Sequence, residues 1–306
     1  MKRRFVLLVA LVGALFFFSY YSLTTPNPSI LDSRVITVIN KKSLPAAVFN
    51  SFNKLAVAEP EKVRDDELLP DLVPLPARDL TVKKEKGEEG KPEKTLLLFS
   101  TTYYNQGTGP VELRADPNTK GIRKDIEREV FQRVYLKDGK KYEDLTVGIF
   151  MWHQEHLHYH FADFVEYDLE AVDAPYREEL EGSRIKSTFC LRDVSKVDLE
   201  LANRDKEPRY KICGKEIQGV SVGWGDTYYY DYPAQSLNIS DLASGTYRFT
   251  QTVNPERKLK ESNYGNNVSS VLFRLDAEKG KVEVLEETPA SNPAVEHIHL
   301  EDPFGQ

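Results

Sequence analysis

The chain has 306 residues, 40 % of them hydrophobic and 11 % aromatic, and a formal net charge of −7. That length holds one sizeable domain with extensions, and that composition supports a true core. With no basic stripe to meet phosphates, the chain is not a nucleic-acid binder. Its mildly acidic surface tolerates cationic substrates.

The N-terminus reads Met1-Lys2-Arg3-Arg4, then an unbroken apolar run from Phe5 to Phe18 that extends to Leu23. This is a basic segment followed by a hydrophobic one, the pattern of an export signal. No Ala-x-Ala cleavage site follows. The run approaches the ~20 residues that span a bilayer, which favours a signal anchor with its positive end in the cytoplasm. Residues 1–24 are therefore a signal anchor or a signal peptide, and in both cases the remainder is exported. Membrane contact is expected through this segment only. Residues 25–66 mix Pro, Asn and Ser with short apolar runs and read as a stem. The chain has two cysteines, Cys190 and Cys213. In an exported protein an even count suggests one disulfide, with two buried thiols as the alternative.

Beyond about Leu69, short apolar runs alternate with turn residues. Thr95–Tyr104, Val111–Arg114, Glu129–Leu136, Val147–Trp152, Phe164–Leu169, Val220–Trp224, Thr246–Val253 and Ser269–Leu275 predict β-strands. No long segment holds a 3.6-residue period; Pro175–Glu181 is the best helix candidate and is short. The expected architecture is an all-β sandwich with long irregular loops. Lys83–Lys94 is nearly all Lys, Glu and Gly and predicts a solvated loop between two strands. Residues 277–306 read as an acidic, loosely held tail.

Four of the six histidines fall within Trp152-His153-Gln154-Glu155-His156-Leu157-His158-Tyr159-His160. On one continuous strand His156, His158 and His160 share a face and His153 takes the other, because side chains alternate. Residues four apart on a strand are ~13 Å apart, so three imidazoles sharing one ion require a bend or bulge. Three neutral imidazoles suit copper, zinc, nickel or iron, and the spacing does not choose among them. The pair His297-Ile298-His299 has the same period but lies on the tail, where it reads as surface.

The string from Trp152 to His160 resembles the copper-binding sequence of the lysyl oxidase family. The likeness continues through Tyr167-Asp168-Leu169, Lys186-Ser187-Thr188-Phe189-Cys190-Leu191-Arg192-Asp193 and Gln218-Gly219-Val220-Ser221. It extends further through Asp226-Thr227-Tyr228 with Asp231 and Gln235, Val253-Asn254-Pro255, and Glu261-Ser262-Asn263-Tyr264-Gly265-Asn266-Asn267. These blocks run in the family's order and make residues 67–276 a lysyl oxidase-like catalytic domain. The departures are an Arg192 where the family motif has Glu, an Asn263 where it has Asp, and fewer cysteines, which suggests a prokaryotic-type branch.

The resemblance implies a copper-dependent amine oxidase. It would convert primary amines, peptidyl lysine among them, to aldehydes with O2, releasing hydrogen peroxide and ammonia. The implied cofactor is lysine tyrosylquinone, built from Lys186 and Tyr228; Asp226-Thr227 before, and Asp231 and Gln235 after, select Tyr228 over Tyr229 and Tyr230. The implied copper ligands are His156, His158 and His160, with His153 beside them as a supporting residue. An implied calcium site comprises Asp71, the Leu72 backbone, Glu261, Asn263, Asn266 and Asn267, with one formal charge lost at Asn263. Cys190 pairs in the family, and Cys213 is its expected partner. A carboxylate base is required, with Asp231 and Asp226 as candidates. Two other readings stand beside this one: a non-catalytic copper-binding module on the same scaffold, and a cupin-like oxygenase, which lacks its glycine pattern here.

Overall fold

A computed structural model of the chain describes residues 63–86, 92–115, 127–154, 157–173, 185–233 and 235–297. The expected signal segment, the stem before residue 63 and the helix candidate Pro175–Glu181 lie outside them. Every regular element described is a β-strand, and none of the described residues forms a helix long and apolar enough to cross a membrane.

The strands build two antiparallel sheets, one of ten strands and one of six. In chain order they are β1 (Glu67–Leu68), β2 (Leu72–Glu85), β3 (Lys94–Asn105), β4 (Val111–Ala115), β5 (Glu127–Leu136) and β6 (Tyr142–His153). Next come β7 (His158–Asp173), β8 (Ile185–Phe189), β9 (Ser195–Val197), β10 (Ile217–Val220) and β11 (Trp224–Tyr228). The last are β12 (Ser236–Asn238), β13 (Gly245–Val253), β14 (Val268–Asp276), β15 (Lys281–Thr288) and β16 (Val295–His297). The larger sheet runs β10-β4-β5-β6-β7-β13-β14-β15, with β1 on β5 and β8 on β7; the smaller runs β12-β3-β11-β9-β16, with β2 on β3.

The aromatic runs explain the sandwich. Phe99 and Tyr103 of β3 face Phe164 and Tyr167 of β7, Phe249 of β13 and Phe189 of β8, and all six are fully buried. Phe99 meets Tyr167 edge-on at 5.3 Å, and Tyr103 meets Phe164 at 5.7 Å and Phe189 at 5.3 Å. Each such ring contributes roughly 1.5–3 kcal/mol by leaving water. Polar tips are matched inside: Tyr103 Oη donates to Gln251 Oε1 (2.8 Å) and lies 3.1 Å from Tyr167 Oη.

Four expectations need correcting. Val220–Trp224 is not one strand: β10 ends at Val220 and β11 starts at Trp224, across a turn in which Gly223 takes φ 77°. A side chain there would be strained, and its Cβ would fall 2.5 Å from Arg204 Cβ. The charged segment Lys83–Lys94 is partly strand, since Lys84 pairs with Thr95 and Glu85 with Lys94. The residues after Ala277 are not a loose tail as far as His297: β15 pairs with β14 along its length and β16 pairs with β9. Finally, His153 and His158 do not lie on one strand. The chain reverses between β6 and β7 and sets His153 opposite His158.

Candidate metal and cofactor site

The reversal decides which histidines meet. Cross-strand partners in a hairpin share a face, so His153 joins His158 and His160 instead of facing away. Its ring stacks on His160 at 4.7 Å, and the His158 ring lies 4.8 Å from that of His160. Leu157, with φ 53°, leads into β7; His156 lies outside the described residues. The expected irregularity occurs just beyond the histidines: the β7–β8 register shifts between Phe161 and Val165, and Asp163 takes φ 55°.

His158 Nε2 and His160 Nε2 are 2.9 Å apart. Two nitrogens that share one ion at ~2.0 Å each come about this close, so this pair would suit a cation that imidazoles bind. His160 is 2 % exposed, and its Nδ1 lies 3.1 Å from Thr188 Oγ1. With Nδ1–H donating to that hydroxyl, the Nε2 lone pair is left for metal. Thr188 belongs to β8, two residues from Lys186. Sequence reasoning did not single it out; its place between Lys186 and Cys190 was the available signal. Gln218 was likewise quoted without a role. It ties the site together by donating to Tyr159 O (2.6 Å) and accepting from Leu191 N (3.2 Å).

β8 also ends against Tyr228. The Tyr228 ring meets Phe189 at 4.3 Å, and its hydroxyl accepts from Cys190 N at 2.9 Å. Burial pushes the Tyr228 phenol well above its ordinary range, and the nearby Asp226 adds to this. Lys186 is on the same strand but exposed, and its ammonium is ion-paired with Glu256. Glu256 also pairs with Lys258 (2.8 Å), which reaches Asp163 at 3.1 Å. The residue types fit a lysine–tyrosine cofactor. Lys186 stands three residues from Phe189, about 10 Å along an extended strand, and its amine is turned to Glu256. Nothing in the sequence pattern marked Glu256.

The two candidate bases differ sharply. Asp231 is exposed in the turn after Tyr228. Asp226 is fully buried, two residues before Tyr228 on β11, and neither carboxylate oxygen has a hydrogen-bond partner. The neighbouring Thr227 N–H favours its charged form only as a minor influence. Burial pushes the Asp226 carboxyl well above the carboxylate range, partly offset by the Arg192 guanidinium. Arg192, the departure from the family motif, is itself buried.

Cys190 and Cys213 form a disulfide with Cα atoms 5.5 Å apart. Asp193 holds the enclosed loop. It accepts from Ser221 N (2.8 Å) and Ser221 Oγ (2.7 Å), Arg209 N (2.7 Å) and Tyr210 N (3.0 Å). A ring nitrogen of His158 and both cysteine sulfurs lie within 4.8 Å of one another. As a disulfide the sulfurs are bonded to each other and lack the thiolate charge that binds metals.

The implied calcium residues gather at one corner, with one exception. Glu261 is fully buried. It accepts from Leu72 N (2.7 Å), Asn254 Nδ2 (2.6 Å) and Asn267 Nδ2 (2.9 Å). Asp71 accepts from Asn266 Nδ2 (2.9 Å) and Gln106 Nε2 (3.0 Å). Burial pushes Glu261 up to about 7. The side-chain oxygens of Asn266 and Asn267 are buried without hydrogen-bond partners. Two orphaned amide oxygens beside two carboxylates fit a hard cation. Asn263 stands apart: it is exposed, and its side-chain oxygen accepts from Gly265 N in its own turn.

The sequence matches the lysyl oxidase family over residues 142–284, from β6 into β15. That span includes the histidines, Lys186, Tyr228 and the disulfide, and excludes Asp71 and Leu72. Among curated proteins it is similar to lysyl oxidase homolog 2 of Gallus gallus, 32 % identical over 130 residues. It also resembles lysyl oxidase homolog 4 of Bos taurus (33 % over 134 residues) and homolog 2B of Danio rerio (34 % over 130 residues). Each match covers 42 % of this chain and 16 % of the relative. The matched stretch thus carries the whole described histidine and tyrosine arrangement, and over that stretch the chain is similar to the lysyl oxidase family.

Proposed function

We propose that this protein is a copper-dependent amine oxidase that oxidises primary amines, peptidyl lysine among them, to aldehydes with O2. A copper ion and a quinone made from Tyr228 and Lys186 would supply the redox chemistry that ordinary side chains lack. The observation that carries the reading is the position of β8. One strand touches the histidine centre through Thr188, bears Lys186, and ends against Tyr228.

In this reading His156, His158 and His160 hold the copper. Thr188 fixes the His160 tautomer, and the stacked ring of His153 restrains it. Phe189 and the Cys190 N–H orient the Tyr228 ring and hydroxyl. Lys186 leaves Glu256, gives up its ammonium proton and moves toward that ring. Asp226 is better placed than Asp231 to take a proton near Tyr228, because it is buried two residues away on β11 while Asp231 is exposed in the following turn. Asp71, Glu261, Asn266, Asn267 and the Leu72 backbone would take calcium, with Asn263 contributing only if its turn opens. The disulfide and the N-terminal apolar run support an extracytoplasmic, oxidising location.

One observation favours the non-catalytic copper module: the Lys186 amine is engaged by Glu256 and not directed at Tyr228. Peptide mass spectrometry of the exported, copper-loaded protein separates the two. A covalent link between the Lys186 and Tyr228 peptides, lost in Tyr228→Phe, supports the oxidase. Bound copper without that link leaves the module.

A further inference from the structure

The disulfide is built against the histidine centre. One His158 ring nitrogen, Cys190 Sγ and Cys213 Sγ lie within 4.8 Å of one another, and His158 Nε2 is 2.9 Å from His160 Nε2. Cys190 is fully buried and its N–H is bound to the Tyr228 hydroxyl. Cys213 belongs to an exposed loop whose Ile212 is 74 % exposed. Cys213 is therefore the partner free to move when the bond opens.

We infer that the Cys190–Cys213 bond is a metal-selecting switch: once reduced, Cys190, Cys213 and His158 form a zinc-type thiolate site. Reduction by a thiol or phosphine adds two electrons and two protons, breaks the S–S bond and leaves two thiols. Binding one divalent cation then releases both thiol protons and forms two metal–thiolate bonds. Two sulfurs and one imidazole, with water in the fourth position, are a donor set of tetrahedral zinc sites. Re-oxidation returns the two electrons to an acceptor such as a disulfide oxidant, removes both sulfur donors and expels the cation. Only imidazole nitrogens then remain for copper. The inference rests on the proposed role of His158 and His160 as metal ligands, and it orders events: the disulfide must close before copper is loaded.

Cobalt(II) titration of the full chain tests this, with and without a phosphine reductant. The reduced protein should bind one equivalent with a near-ultraviolet thiolate-to-cobalt band, displaced by one equivalent of zinc. Its zinc affinity should exceed that of the oxidised protein by at least about 100-fold. The oxidised protein should bind cobalt without that band. Cys213→Ser leaves the Cys190 thiolate in place and should show a weaker band without reductant, while the double Cys→Ser variant should show none. A folded reduced protein without the band overturns the switch, as does a reduced chain that unfolds if Cys213→Ser also lacks the band. Copper binding by the oxidised protein in those cases leaves the histidine assignment standing. A thiolate band in reduced protein whose oxidised form binds neither copper nor cobalt sinks the copper reading and, with it, the selection between metals, leaving only a redox-gated thiolate site.

Discussion

Two corners of this molecule collect metal-ligand side chains, and they are assembled on opposite principles. At the Asp71–Glu261 corner the acidic groups are already matched. Glu261 accepts three hydrogen bonds and Asp71 accepts two, and only two amide oxygens are left over. The corner fastens the start of β2 to the β13–β14 connection whether or not a cation is bound. At the histidine centre two ring nitrogens converge to 2.9 Å, and the supporting contacts, Thr188 and the stacked His153, orient the rings. The first corner is a hydrogen-bonded structural joint; the second is a pair of converging imidazoles, the arrangement the proposed copper site needs. A loss at the joint should therefore be read in stability, and a loss at the centre in metal affinity.

The sharpest break of that contrast is His160→Ala. It removes a proposed ligand, so copper affinity should fall by more than the ~10–100-fold that follows loss of a supporting hydrogen bond. Competition against a chelator of known affinity measures it, and a change under tenfold would remove His160 from the ligand set. Glu261→Ala should do the reverse. It strands the donors on Leu72, Asn254 and Asn267 inside the protein, each costing about 1 kcal/mol, so stability should drop by about 3 kcal/mol in denaturant unfolding. Copper affinity should stay within a factor of two. A loss below about 1 kcal/mol would show that the corner repacks or hydrates, and the contrast between joint and metal centre would fail.

What could be read ahead from residues follows the range of the interactions involved. Short β-branched, aromatic and apolar runs bounded by turn residues announced β3, β4, β5, β13 and β14 almost to the residue, because strand preference and turn chemistry are local. The histidine cluster was evident from density alone. Its geometry was not: one strand across His153–His160 would set His153 on the far face, whereas β6 and β7 pair antiparallel and bring His153 opposite His158. Val220–Trp224 failed for a related reason, since hydrophobicity ran through a turn that only Gly223 marks. Thr188 and Glu256 act through partners 28 and 70 residues away. The family resemblance selected Lys186 and Tyr228 but carried no signal for the ion pair that holds Lys186. The tail after Ala277 looked loose because charge dominates β15; its order comes from pairing with β14 and from β16 reaching β9.

The effect least tied to either corner lies between the sheets, at Asp226. Its carboxyl is buried without a hydrogen bond, and burial holds its folded pKa well above the ordinary value near 3.8. Below pH 4 both folded and unfolded chains keep this proton, and no penalty arises. As pH rises the unfolded chain releases the proton first, so wild-type stability should fall until the folded carboxyl also ionises. One proton of difference sets the steepest slope at about 1.4 kcal/mol per pH unit. Asp226→Asn keeps the shape and cannot ionise, so its stability should rise relative to wild type as pH increases above 4, with copper affinity and the Glu261 joint unchanged. Unfolding midpoints of the two proteins at pH 4, 6 and 8 check this. Parallel pH profiles would mean that Asp226 is ionised and compensated in the fold, through Arg192 or water.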